Sequence, residues 1–171
     1  HLLWAARWEH DKNPAMFFAA LDELERRGVD FRVSVIGESF REVLAVFDQA
    51  KQRFADRIVR WGYQPSWAEY ETALAEADVF ISTADHEFFG LAAVEAAMAG
   101  CVCVLPRKLA YPEVFGDDGA VWYDGTAAGL VDVLSGGGIR TCDALQSGVE
   151  RYRWPVRTAA MDDALEALRR R

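Results

Sequence analysis

Two pairs of side chains in this sequence stand at spacings that can do chemistry. Arg7 and Lys12 lie just beyond the apolar run Leu2-Leu3-Trp4-Ala5-Ala6, and Glu87 and Glu95 bracket Gly90. Two cations beyond one strand end suit a diphosphate. A helix opening at Gly90 adds free backbone amides and the positive end of its dipole, and a residue without a side chain lets an anion come close. Carboxylates accept paired hydrogen bonds from vicinal hydroxyls, so Glu87 and Glu95 suit hydroxyl-rich groups at the two ends of such an anion. A different chemistry for the same acids is a glycoside-cleaving acid/base pair, which requires carboxyl groups ~5–10 Å apart. Plainer readings are surface cations beside an ordinary helix start, and two solvated glutamates; Glu95 is flanked by Val94, Ala96, Ala97 and Met98.

These residues matter only if the chain carries them to one place. Leu2 to Ala6 reads as a buried strand. Pro14 opens a helix with Phe17, Phe18, Leu21 and Leu24 on one face, and Gly28 ends it. Phe31 to Ile36 is a strand stopping at Gly37. Phe40 to Phe54 is a helix, with Val43, Leu44, Phe47 and Phe54 at helical spacing. Arg57 to Trp61 is a short strand followed by Gly62-Tyr63. Ser66 caps the next helix, with Glu69 as its capping-box partner. Val79 to Ser82 is a strand, Thr83 to Phe89 a loop, Gly90 to Ala99 a helix closed by Gly100, and Cys101 to Leu105 a strand ended by Pro106. Ala120 to Tyr123 is a strand and Thr126 to Leu134 a helix. Ser135-Gly136-Gly137-Gly138 is a turn, and two helices follow at about 141–150 and 156–169. Strands alternating with helices predict an α/β fold with a doubly wound parallel sheet, Rossmann-like, with right-handed crossovers. Such sheets bind ligands at the carboxyl ends of their strands. Arg7 to Lys12, Gly37-Glu38-Ser39, Gly62-Tyr63, Asp85 to Gly90 and Pro106 to Glu113 all fall there.

Composition narrows the function classes. The 171 residues are 51% apolar and 27% charged, the make-up of a single globular domain. The net charge is −8, unevenly spread: residues 151–171 hold six arginines and three acids, and residues 1–150 carry −11. An acidic body argues against a phosphate-tracking nucleic-acid surface on this chain. The arginine-rich end reads as a solvated last helix with cations at its C-terminus. Cys101, Cys103 and Cys142 form no Cys-x-x-Cys, and His1, His10 and His86 are scattered, so no zinc site is expected. Cys101 and Cys103 are read as buried free thiols on opposite strand faces, in a reducing, cytoplasmic setting. No run reaches the ~18–20 apolar residues of a membrane span. The sequence has no Gly-x-Gly-x-x-Gly, no P-loop and no Asp-x-Asp, so a bound diphosphate would be met by Arg, Lys and helix amides without a divalent cation. The absence of an initiator Met and the strand beginning at residue 2 are read as a fragment of a longer protein.

The segment Glu87-Phe88-Phe89-Gly90-Leu91-Ala92-Ala93-Val94-Glu95-Ala96-Ala97-Met98-Ala99-Gly100 resembles the Glu-x7-Glu signature of GT-B glycosyltransferases, specifically the large retaining family 4. Arg7 and Lys12 match that family's Arg-x4-Lys pair, and Tyr111-Pro112-Glu113-Val114 resembles its Pro-Glu segment. A narrower resemblance runs through Arg7 to Lys12, Trp61-Gly62-Tyr63, Ser82-Thr83-Ala84, His86 to Gly90 and Tyr111-Pro112-Glu113. These resemble the tRNA-queuosine mannosyltransferases and their bacterial relatives.

The resemblance implies the donor-binding C-terminal half of a GT-B enzyme. It further implies GDP-mannose as donor, a queuosine nucleoside in tRNA as acceptor reached through a missing N-terminal domain, and no separate cofactor. By the same resemblance, Arg7 and Lys12 hold the donor pyrophosphate and Glu87 binds sugar hydroxyls. The amides of Phe89, Gly90 and Leu91 touch sugar and phosphate, and Glu95 binds the ribose diol. Gly62 and Tyr63 lie near the base, and Gly37 borders the nucleotide. Three positions depart from the pattern: Ala6 and the pair Leu109-Ala110 stand where the family often has glycine, and Gly37-Glu38-Ser39 replaces a Gly-x-Gly. A nucleotide-sugar epimerase, a glycan phosphorylase, and a binding module that has lost catalysis are alternatives on the same architecture.

Overall fold

The structure, a computed structural model, describes residues 1–39, 44–136, 139 and 149–169. Six strands, β1 (Leu2–Ala5), β2 (Val33–Ile36), β3 (Ile58–Gly62), β4 (Val79–Ile81), β5 (Val102–Pro106) and β6 (Val121–Tyr123), form one sheet in the order β3-β2-β1-β4-β5-β6. All five pairings are parallel. β1, β2, β4 and β5 are buried at every residue, as expected of strands covered on both faces, whereas the edge strands β3 and β6 are partly exposed. The chain moves outward one way from β1 through β2 to β3, then restarts at β4 and moves the other way. The reversal opens a crevice beyond the carboxyl ends of β1 and β4.

Helices α1 (Pro14–Arg26), α2 (Ala45–Arg53) and α6 (Ala127–Ser135) cover one face; α3 (Trp67–Ala75), α4 (Leu91–Met98) and α5 (Tyr111–Phe115) cover the other. A last helix, α7 (Trp154–Arg169), follows. Alternation along β1 divides the core: Trp4 packs with Phe17, Leu21, Val35 and Phe47 on the first face, and Leu3 with Phe80, Ala93, Ala96 and Leu105 on the second. Local signals set the helix starts. Asn13 accepts the Met16 amide ahead of Pro14, and Thr126 accepts the Gly129 amide. Ser66 Oγ accepts the Glu69 amide at 3.2 Å, and its hydroxyl also reaches the Glu69 carboxylate at 3.2 Å. The capping box at α3 is thus closed side chain to side chain.

Four expectations change. Cys101 and Cys103 lie in the same core layer, not on opposite faces, because residues two apart in an extended chain share a face. α2 begins at Ala45, since Leu44 is its extended N-cap residue; residues 40–43 of the expected helix lie outside the described residues. Residues 111–115, given no element in the sequence reading, form α5, a helix too short to show periodicity. α7 starts at Trp154 rather than 156, with Pro155 in its first turn. The expected helix at 141–150 and the tip of the glycine turn at 137–138 lie largely outside the described residues. No described helix is long and apolar enough to cross a membrane.

Candidate functional site

The loops leaving β1 and β4 are laced together at the crevice. Asp85 and His86 donate their amides to the Asp11 carbonyl at 2.8 and 3.2 Å. Below them Trp4 Nε1 donates to Thr83 Oγ1 at 3.0 Å, and the Thr83 hydroxyl donates to the Lys12 carbonyl at 2.8 Å. This buried relay fixes the short 3-10 turn His10–Lys12. Lys12 is only 9% exposed. Its Nζ donates to the His86 carbonyl at 2.7 Å and to Glu87 Oε2 at 3.2 Å, with Asp11 Oδ2 at 3.5 Å. Arg7 is held far more loosely: its side chain is over half exposed and its guanidinium stands 3.6 Å from the Asp11 carboxylate.

Glu87 joins Lys12 to the start of α4. Its Oε1 accepts the amides of Phe88, Phe89 and Gly90 at 3.1, 3.4 and 3.0 Å. Two of the three amides that the family resemblance assigns to a ligand, those of Phe89 and Gly90, are therefore taken up by the protein's own carboxylate. The amides of Leu91, Ala92 and Ala93 have no backbone acceptor among the described residues, as the opening turn of a helix requires. Gly90 also acts differently from expectation. Its φ is +87°, and a Cβ there would lie 2.6 Å from Tyr111 Cε1. Glycine is needed for that left-handed backbone and for the ring behind it. The ring is fixed in turn, its hydroxyl sharing a 2.7 Å hydrogen bond with Ser82 Oγ, and burial pushes its phenol above the ordinary range.

Beside this arrangement opens a cavity of about 470 Å³, within the range of small-molecule sites. Arg7, Gly37, Tyr63, Leu91 and Glu95 line it. Lys12, Glu87 and Gly90 line a pit of about 20 Å³ that shares Ala5, Ala6 and Ala92 with the cavity. The two acids thus border neighbouring spaces with separate donors, an arrangement unlike a glycoside-cleaving pair facing one bond. Gly37 is required for packing: at φ +150° a Cβ would sit 1.8 Å from the Ala6 carbonyl oxygen, where β1 and β2 end together. Gly62 has φ +88° with open space around it, and it turns the chain so that Tyr63 reaches the cavity. The ring of Phe89 lies elsewhere, edge-on to Tyr152 at 5.1 Å.

Sequence reading missed the α3 wall. Trp67 and Tyr70 both line the cavity, their ring centroids 5.3 Å apart. Tyr70 donates its hydroxyl to Glu95 Oε2 at 2.7 Å. Burial, and then the Glu95 carboxylate, push its phenol well above the ordinary range. The available signal was the three-residue spacing of two aromatics just after the Ser66 cap, which places both on one helix face.

Residues 1–136 match the family model for group 1 glycosyl transferases. Over 115 residues the chain is 44% identical to the tRNA-queuosine alpha-mannosyltransferase of Drosophila melanogaster, a match covering 67% of this chain and 30% of that protein. Among solved structures, an alpha,alpha-trehalose-phosphate synthase (UDP-forming) from Burkholderia xenovorans, in complex with glucose-6-phosphate, shares the fold. The TM-score is 0.73 at 17% identity, over 98% of this chain and 43% of that one. With the Glu87–Glu95 segment at a parallel-sheet switch point and most of the chain matched by the family model, the chain belongs to the group 1 glycosyl transferases.

Proposed function

We propose that this chain is the donor-binding part of a retaining, metal-independent glycosyltransferase that moves mannose from GDP-mannose to a queuosine nucleoside in tRNA. One observation carries the reading: the buried Lys12 ammonium, the Glu87 carboxylate and the loop amides leading into α4 converge on one point beside a nucleotide-sized cavity lined by Glu95. The kinship with a tRNA-queuosine mannosyltransferase supports the sugar and the acceptor. The acceptor binds through a second domain of the protein, and the cavity described here takes the nucleotide.

In this reading the diphosphate lies between Arg7, Lys12 and the free amides of Leu91, Ala92 and Ala93. Tyr63 and Trp67, each more than 60% exposed at the cavity wall, offer aromatic faces to the base. Glu95 takes the ribose hydroxyls. Glu87, oriented by three amides through Oε1, presents Oε2 to the sugar hydroxyls. As the C1–O bond breaks, negative charge grows on the leaving diphosphate, and preorganised donors at that point stabilise the transition state more than the ground state.

Calorimetric titration of the whole protein with GDP, UDP and ADP, followed by turnover of GDP-mannose with tRNA, tests the reading. GDP binding tightest and mannose transfer to tRNA are expected. Binding of none of the three would favour a scaffold module, and tightest binding of another nucleotide would overturn the donor assignment.

A further inference from the structure

Glu95 lines the large cavity, and the hydrogen-bond partner of its carboxylate is neutral. Tyr70 Oη donates to Glu95 Oε2, while Oε1 takes no hydrogen bond among the described residues. The Tyr70 ring packs against the core layer under α3 and α4, and the start of α3 is pinned by the Ser66 cap. The hydroxyl therefore stands at a position set by the fold. Its chemistry also matters. An arginine there would take both carboxylate oxygens in a fork and neutralise them. A phenol takes one oxygen, leaves the negative charge intact, and leaves the other oxygen to the cavity.

We infer that Tyr70 is a positioning residue for ribose recognition: its hydroxyl holds Glu95 in one orientation, with a single free carboxylate oxygen aimed at the sugar hydroxyls of a bound nucleotide. The inference rests on the proposed nucleotide site and concerns how that site tells a ribonucleotide from a deoxyribonucleotide. A loose carboxylate samples several rotamers and gives up part of its hydrogen-bond strength to ordering; one already held does not.

The test is titration of the whole protein with GDP and with 2′-deoxy-GDP, comparing wild type, Tyr70→Phe, Glu95→Gln and the double variant. Tyr70→Phe keeps the partly buried ring and so keeps the packing of α3. It is expected to weaken GDP about 10-fold, the value of one hydrogen bond to a charged group. The affinity for 2′-deoxy-GDP should move less than about 2-fold, so that discrimination between the two collapses. Adding Tyr70→Phe to Glu95→Gln should then cost GDP binding little more, because the two residues act as one unit. A Tyr70→Phe protein that loses both nucleotides equally, or keeps the wild-type discrimination, would overturn the inference. A wild type that binds GDP without discriminating overturns it through Glu95, whereas a wild type that binds no nucleotide refutes the proposed site itself.

Discussion

Arg7 and Lys12 are five residues apart and were expected to do one job, yet the fold treats them in opposite ways. Lys12 is buried at 9% exposure with oxygens of His86, Glu87 and Asp11 around its ammonium. Arg7 extends into the open cavity with its side chain over half exposed and one 3.6 Å contact to Asp11. The sites they serve differ likewise. The Lys12–Glu87 corner is held in place by the protein's own groups, its ammonium and carboxylate paired and the Phe88, Phe89 and Gly90 amides taken up, while the Leu91, Ala92 and Ala93 amides beside it stay without a backbone acceptor among the described residues. The Arg7–Tyr63–Glu95 cavity leaves space and unspent donors. The contrast teaches that one wall of the crevice is built by folding and the other is completed by what binds there. A preorganised charge costs little at the moment of reaction, and a loose one gains its order from the ligand.

Substitutions at the two cations should separate these roles. Lys12→Ala is expected to have the largest effect: a loss of at least ~100-fold in turnover of GDP-mannose by the whole protein, together with a measurable fall in Tm. The fall follows because Glu87 and the His86 carbonyl lose a part-buried partner. Arg7→Ala should cost turnover by a similar factor while leaving Tm unchanged, as an exposed and nearly free side chain contributes little to stability. Equal Tm losses in the two variants would erase the distinction between the walls.

Much of this was readable in the chain. The parallel sheet was implicit in apolar runs alternating with helices, because strands covered on both faces must be apolar at nearly every position, as Val102 to Leu105 are; the strand order was not. Arg7, Lys12 and Glu87 fall in the segments after strand ends by spacing alone, with Gly90 at the start of the helix that follows and Glu95 inside it. Spacing did not reveal which partner each would take. The carboxylate of Glu87 turns back on the amides of its own loop, and the Tyr111 ring backs Gly90 from another helix; both are tertiary facts. Trp67 and Tyr70 were hidden because aromatic residues on a helix face usually mean core, and only the cavity distinguishes them. Cys101 and Cys103 show an error of another kind, a two-residue spacing that simply places both on one face.

Smaller effects sharpen the built wall further. Gly90→Ala adds a methyl 2.6 Å from the Tyr111 ring at φ +87°. It should destabilise the fold by about 1–3 kcal/mol, which lowers Tm by several degrees in thermal melts. If Tm is unchanged, Tyr111 does not define that corner. Buried protons in the core also set an alkaline limit. Burial raises the Cys101 thiol from 9.0 to about 11, so the folded chain holds a proton that the unfolded chain has released. That contribution is fully present below pH 9 and is lost as pH rises through about 11. Tyr70, Tyr111 and Tyr123, raised mainly by burial, extend the loss to higher pH. Melts across pH 8 to 11 should show Tm falling from about pH 9, and Cys101→Ala should flatten the first part of that fall.

The central claim is that the Lys12 corner holds a diphosphate and the cavity beside it a nucleoside. Titrating GDP and guanosine against wild type and Lys12→Ala protein tests it most directly. Wild type is expected to bind GDP far more tightly than guanosine, and Lys12→Ala to abolish most of that difference while guanosine binds as before. Equal wild-type affinity for the two, or an undiminished preference for GDP without Lys12, would contradict it.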